Sequence, residues 1–309
     1  MPAVAAALGL LALALAWPVP VALARAAWPS RAPGLALALW QAIALGGGLS
    51  MIGCLVVLGT APDGSILGSA EALLGAFFAG PIPAEFGVIH LAALTLAVGL
   101  TVHLALNLGA TALRAERERR RQHQLIRILS DPMPGDPGTR LLAHSVPLAY
   151  CVPGLRGATV LTDGLLDVLS PDEVRAVIAH EHAHLGQFHH LVLLVFRSWH
   201  TALPWFPIAN RAERAVSLLT EMLADDQALR DVGRDEIVRA LSLMGSAAEP
   251  ALTAESGGAV PDGDMLAARL GRLEHPAEHP LGAPARWGVM VLAVALITAP
   301  LVAMLTIVR

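Results

Sequence analysis

His180-Glu181-His182-Ala183-His184 sets two histidines four residues apart with an acid directly after the first. On an α-helix, residues four apart differ by about 40° in direction and about 6 Å in rise, so His180 and His184 can present ring nitrogens to one cation. Glu181 is rotated by about 100° from His180 and borders the same face. That is where a general base must stand to take a proton from a metal-bound water. Two imidazoles leave a catalytic zinc site incomplete, because such a site has three protein ligands and an open fourth position. Glu221-Met222-Leu223-Ala224-Asp225 repeats the four-residue spacing with carboxylates. Glu221 is the candidate third ligand. Asp225 is the candidate acceptor for the distal N–H of a ligand histidine, which would fix its tautomer. Read alone, both are ordinary helix-surface acids; the HExxH upstream gives them a role. The expected chemistry is hydrolysis with one Zn2+ ion. The metal acidifies a water, Glu181 takes its proton, the oxygen attacks a scissile carbonyl, and Glu181 protonates the leaving amine. Arg269 and His275 are candidate additional oxyanion donors, and each is otherwise a surface group. Ala158, Thr159, Val160 and Leu161 form a candidate edge strand to which an extended substrate could add.

The elements that must hold these residues are partly legible. Ser170-Pro171-Asp172-Glu173 is a helix start, with Ser170 as N-cap, proline at the first helical position, and Glu173 completing a capping box. The helix is expected to run to about His189. A second, from Arg211 to about Arg230, carries Glu221 and Asp225. Ser145–Val152 and Ala158–Thr162 read as strands of a hairpin joined at Pro153–Gly157. Three prolines and two glycines in Ser130–Thr139 read as a linker. Pro250–Asp264 reads as a flexible loop, and Met265–Leu273 as a short helix.

Hydrophobic residues make up 55% of the 309-residue chain and charged residues only 15%, where a soluble domain carries about a quarter. Nearly all the charge falls between Arg114 and Arg286. Four apolar runs reach the ~20 residues that cross a bilayer: about 3–24, 34–60, 86–113, and the last at 287–309. The expected architecture is mainly α: four transmembrane helices, with a cytoplasmic α+β domain at 114–286 inserted between the third and fourth. The first run lacks a preceding basic segment and reads as a retained helix rather than a signal peptide. Arg25, Arg31, the Arg114–Arg121 cluster and Arg286 place their loops inside, while Ala61–Glu85, with acids and no Arg, faces outward. The N-terminus is then outside. Ser65–Gly80 reads as a loop at the outer interface. Leu191–Ala209 is also apolar, but a single crossing there would separate His184 from Glu221. It is therefore a buried helix, a re-entrant element or a membrane-apposed surface. A net charge of −4 gives no case for nucleic-acid binding. All basic residues are arginine, which fits a GC-rich bacterial genome. Cys54 and Cys151 are expected in different compartments, unpaired, as two small buried residues. His182, His189 and His190 are expected to face solvent or the membrane boundary. His90 and His103 are expected to hydrogen-bond neighbouring helices, and Gly46–Gly48 to allow close helix packing.

The stretch Leu169–Glu181, the acids at Glu221 and Asp225, and the order of three spans, polar domain and fourth span resemble the peptidase domains of the β-lactam sensor-transducer (BlaR/MecR) family. HtpX and the CAAX prenyl proteases are more distantly similar. The resemblance implies a compact α+β gluzincin-type zinc-protease fold at the cytoplasmic face of a bacterial inner membrane. It also implies endopeptidase activity on a protein substrate, such as a winged-helix repressor or the protease itself. The transducers carry an external penicillin-binding domain after the fourth span. That half is absent from this chain, so β-lactam sensing is not expected. The lipid bilayer is the other expected partner.

Three other readings compete. A site-2-type intramembrane protease also uses HExxH, but its motif helix is apolar, whereas Asp172, Glu173, Arg175 and Gln187 make this one polar. A catalytically silent scaffold or metal sensor would keep the fold without turnover. An HtpX-like quality-control protease would act on unfolded proteins.

Overall fold

The computed structural model describes residues 1–154, 157–203, 207–255, 263–276 and 280–308. Four helical segments are long and apolar enough to cross a membrane, which makes this a multi-pass membrane protein. The first is broken into α1 (Pro2–Ala16) and α2 (Pro18–Arg25). The break falls at Trp17, where Pro18 lacks an N–H and disfavours helical backbone before it. Helix α3 (Pro33–Gly59) is the second span. The expected outer loop contains α4 (Ile66–Ala79), whose N-cap Ser65 accepts from Gly68 N at 2.8 Å. Its apolar run is helical, though too short to span.

Helix α5 (Val88–Leu129) merges the third span and the charged segment after it. No helix breaker separates Leu113 from Arg114, so one rod of about 63 Å carries the chain out of the membrane. Gly46, Gly48 and Gly59 explain how the spans meet. A Cβ at Gly46 would lie 2.5 Å from the Leu296 carbonyl oxygen, one at Gly48 3.1 Å from the Trp199 ring, and one at Gly59 2.4 Å from Leu94.

The expected linker at 130–139 is instead a hairpin. Strands β1 (Ser130–Met133) and β2 (Asp136–Leu142) pair antiparallel around Gly135, which adopts φ +87°. Proline is tolerated in β1 because that strand lies at the edge of the sheet. Strands β3 (Ala149–Val152) and β4 (Ala158–Thr162) form the second hairpin, as the sequence suggests. The sheet order is β1-β2-β4-β3, with β2 and β4 parallel. The stretch 158–161 is therefore an interior strand, with both backbone edges used. The free edge on that side belongs to β3. The error follows from losing β2 to its prolines and glycines. Period-two alternation packs β4 on both faces: Val160 meets Ile126 of α5, and Leu161 meets the helices beyond.

Helix α6 (Asp163–Val168) leads into α7 (Pro171–Gly186), which has the expected capping box: Ser170 N donates to Glu173 Oε2 at 2.8 Å. Helix α7 stops three residues short of His189. Phe188 takes a left-handed conformation (φ 52°), and α8 (His189–Ala202) departs in a new direction. Helices α9 (Pro207–Ala228), α10 (Arg234–Glu255) and α11 (Gly263–Glu274) complete the inserted domain, and α12 (Ala283–Leu305) is the last span. Parts of the expected Pro250–Asp264 loop are thus helical, and 256–262 fall outside the described residues, as do Trp205 and Phe206.

The α8–α9 hairpin resolves the apolar stretch. Trp199 packs on Gly48, in the middle of α3. His103 Nε2 of α5 lies 3.2 Å from Ala202 O, and Asn107 Nδ2 donates to Ser198 O at 2.7 Å. His103 is about 15 Å along α5 from Leu113, where the apolar run ends, which is half of a ~30 Å hydrocarbon core. Ala212, Val216 and Leu219 of α9 return against Leu37, Trp40 and Ile43 of α3. Both arms of the segment thus pack against the apolar spans α3 and α5.

Candidate metal centre

Helices α7 and α9 bring the predicted ligands together. His180 and His184, one turn apart on α7, approach to 3.1 Å between their Nε2 atoms. Glu221 of α9 spans both, with Oε2 3.3 Å from His180 Nε2 and Oε1 3.3 Å from His184 Nε2. These three residues are the metal-competent cluster among the described residues. A tetrahedral zinc ion with bonds of about 2.0–2.1 Å separates its ligand atoms by roughly 3.3 Å, so the triangle fits one face of such a shell. The charge fits as well. Glu181, Glu221 and Asp225 face one guanidinium, Arg269, a balance that a divalent cation neutralises.

Asp225 is fully buried and takes the expected supporting place, with Oδ1 3.0 Å from His180 Nδ1. The N–H points off the line to that oxygen, so the contact is an ion pair at short range rather than a well-formed hydrogen bond. Arg269 of α11 fixes both acids: Nη1 lies 2.8 Å from Glu221 Oε2, while Nε and Nη2 donate to Asp225 at 2.9 and 2.7 Å. Its guanidinium is committed to carboxylates and does not stand free as an oxyanion donor. His275 is exposed past the end of α11 and has no side-chain hydrogen bond among the described residues. Neither residue offers a free donor to the cluster, and Arg269 instead ties α11 to the two acids of α9.

The electrostatics follow from this crowding. Burial is the largest influence on His180 and opposes its charge, yet Asp225 and Glu221 outweigh it and raise the imidazole to about 9. Burial likewise opposes the charge on Glu221 and Asp225, but both are held well below the usual carboxylate range, by the two histidines for Glu221 and by His180 and Arg269 for Asp225. In the metal-free protein a proton on His180 takes part of the cation's place.

Cys151, on the edge strand β3, has its thiol pushed up to about 12 by burial first and then by the negative charge of Glu181. It stays protonated. Both cysteines are unpaired, and both are half-buried rather than buried as expected. His182 is exposed, as expected, but His189 is not: it is 2% exposed and lies against His184. Its misplacement has a geometric cause. On a helix continuing to residue 189, the five-residue offset from His184 would turn it about 140° away. The break at Phe188 brings it back, and the signal for that break is the Gly186-Gln187 pair ahead of it.

Two histidines from one helix, a glutamate from the next, and an aspartate one turn beyond are arranged across a parallel-plus-hairpin sheet. Residues 112–240 match the model for peptidase family M48. The inserted α+β domain is thus similar to the M48 peptidases, and the match does not separate BlaR/MecR-like from HtpX-like members. The M48 region takes in the end of α5, the sheet, α6 through α9 and the start of α10, so both helices that carry the cluster fall inside it. Arg269 lies outside. No curated protein and no solved structure matches the chain.

Proposed function

We propose that the chain is a zinc-dependent endopeptidase at the cytoplasmic face of a bacterial inner membrane. The observation that carries this reading is the triangle of His180, His184 and Glu221 donor atoms, 3.1 to 3.3 Å on a side, with Glu181 beside it. A zinc ion held there would supply Lewis acidity, acidifying a water and polarising the scissile carbonyl.

The chain's own residues supply the rest. Glu181 takes the proton of the attacking water and hands it to the leaving nitrogen. Asp225 and Arg269 hold His180 and Glu221, so that little reorganisation accompanies reaction. An extended substrate adds to the outer edge of β3 by backbone hydrogen bonds, which lays its scissile bond between Cys151 and α7. The α8–α9 hairpin ties this cleft to the bilayer, so a substrate at or near the membrane surface is favoured. A cytoplasmic winged-helix repressor or the chain itself fits that description. The arginines at 25, 31, 114 to 121 and 286 set the orientation.

The test is cleavage of an unfolded protein by the zinc-loaded chain. Wild type should cleave it, and Glu181→Gln should bind zinc equally while losing activity. If both bind zinc and both are inert toward unfolded and repressor substrates, the chain is a scaffold or metal sensor.

A further inference from the structure

We propose that His189 is a positioning residue for the metal centre, a neutral imidazole that fixes the tautomer and orientation of the ligand His184. The inference rests on the metal-binding reading above. His184 Nε2 faces Glu221 Oε1 at 3.3 Å and His180 Nε2 at 3.1 Å. To ligate a cation that nitrogen must be unprotonated, so the ring proton sits on Nδ1. His184 Nδ1 lies 2.9 Å from His189 Nδ1. Two N–H groups cannot share that contact, so His189 Nδ1 accepts and carries its own proton on Nε2. That nitrogen lies 2.9 Å from Gln187 Oε1, an acceptor. Every proton then has one place: Gln187 accepts from His189, His189 accepts from His184, and His184 Nε2 is left for the cation.

Two observations support the assignment. His189 is almost completely buried. Phe188 is the one non-glycine residue with positive φ among the described residues. Such a conformation persists where the surroundings over-determine it, and it recurs at functional sites. Here it turns the chain so that His189 folds back on His184, with the ring centroids 4.8 Å apart and the planes at 82°. The two ligand histidines are thus supported differently, His180 by a carboxylate and His184 by a second imidazole.

The test uses the full chain in detergent. Zinc affinity is measured by chelator competition, and site geometry by the visible spectrum of the cobalt-substituted protein. Loss of an outer partner of a ligand histidine lowers metal affinity by about 10–100-fold. His189→Leu should fall in that range and shift the cobalt bands. His189→Asn, whose side-chain oxygen sits near the former Nδ1, should recover most of the affinity and the wild-type spectrum. Equal binding by wild type and His189→Leu would overturn the proposal. Should the leucine variant not fold, His189→Gln replaces it, because its amide reaches the Nε2 position and leaves no acceptor at Nδ1. Asparagine must then outperform glutamine, and the reverse order or equality overturns the proposal. Failure of wild type to bind zinc would instead sink the metal reading itself.

Discussion

The two ends of the α8–α9 hairpin use different chemistry. At the polar end, α9 presents Glu221, Asp225 and Asp226 to Arg269 and Arg272 of α11, in contacts of 2.7 to 2.9 Å. At the other end, α8 meets α5 through His103, Asn107 and Thr111 against Ala202, Ser198 and Thr201, all neutral groups, while His200 of α8 pairs with Glu213 of α9 at 2.6 Å. Formal charge in a hydrocarbon core is costly, whereas neutral hydrogen bonds there cost little to satisfy. One pair of helices therefore meets α5 by neutral bonds at one end and assembles a charged cluster with α11 at the other. Lesions at the polar end should damage the metal centre and catalysis, and lesions at the α5 end should damage anchoring alone.

The largest effect belongs to the catalytic base. Glu181→Gln should lower kcat by about 10²–10⁴-fold with zinc stoichiometry unchanged, measured on any cleaved substrate; a loss below tenfold would remove Glu181 from the mechanism. Next comes Arg269→Met, which strands the buried Asp225 carboxylate. Breaking one partner of a buried ion pair costs about 3–5 kcal/mol, so thermal unfolding should fall well below wild type and zinc affinity should drop with it. A neutral outcome would mean that α11 does not organise the ligands.

The third prediction is a pH dependence. The folded-state value of His180, about 9, lies above the unfolded one of about 6.5. Its proton therefore stabilises the metal-free fold fully below about pH 6.5, and that contribution is lost as pH rises through about 9. Zinc requires the unprotonated ring, so the rise in Tm caused by zinc should grow between pH 6.5 and 9. A rise that shrinks over that interval contradicts the assignment. The smallest effect is expected at the α5 end. Asn107→Leu removes the bonds to Ser198 and Thr201 and should cost about 0.6–2 kcal/mol, with zinc affinity and kcat unchanged. Lost zinc binding in that variant would erase the distinction between the two ends.

Sequence made the ligands legible because their geometry is local. Residues four apart on a helix share a face whatever surrounds them, and the capping box at Ser170 places that helix. The four spans are legible for the same reason, as runs of composition. What depends on tertiary pairing was hidden. Pro132, Pro134, Pro137, Gly135 and Gly138 read as a linker, yet β1 accepts its proline as an edge strand and Asp136 caps the turn by accepting from Gly138 N and Thr139 Oγ1. Missing β2 put the free edge on β4 instead of β3. Arg269 was singled out without its partners, because no spacing rule links α11 to α9 across 44 residues. His189 was turned outward by a helix that in fact ends two residues before Phe188.

The most direct measurement is the zinc content of purified wild type, His180→Ala and Glu221→Ala by elemental analysis. Two helices closing on a single ion predict one zinc per wild-type chain and loss of stoichiometric zinc in both variants. Full retention of zinc by Glu221→Ala would detach α9 from the metal and contradict the assembly of the site.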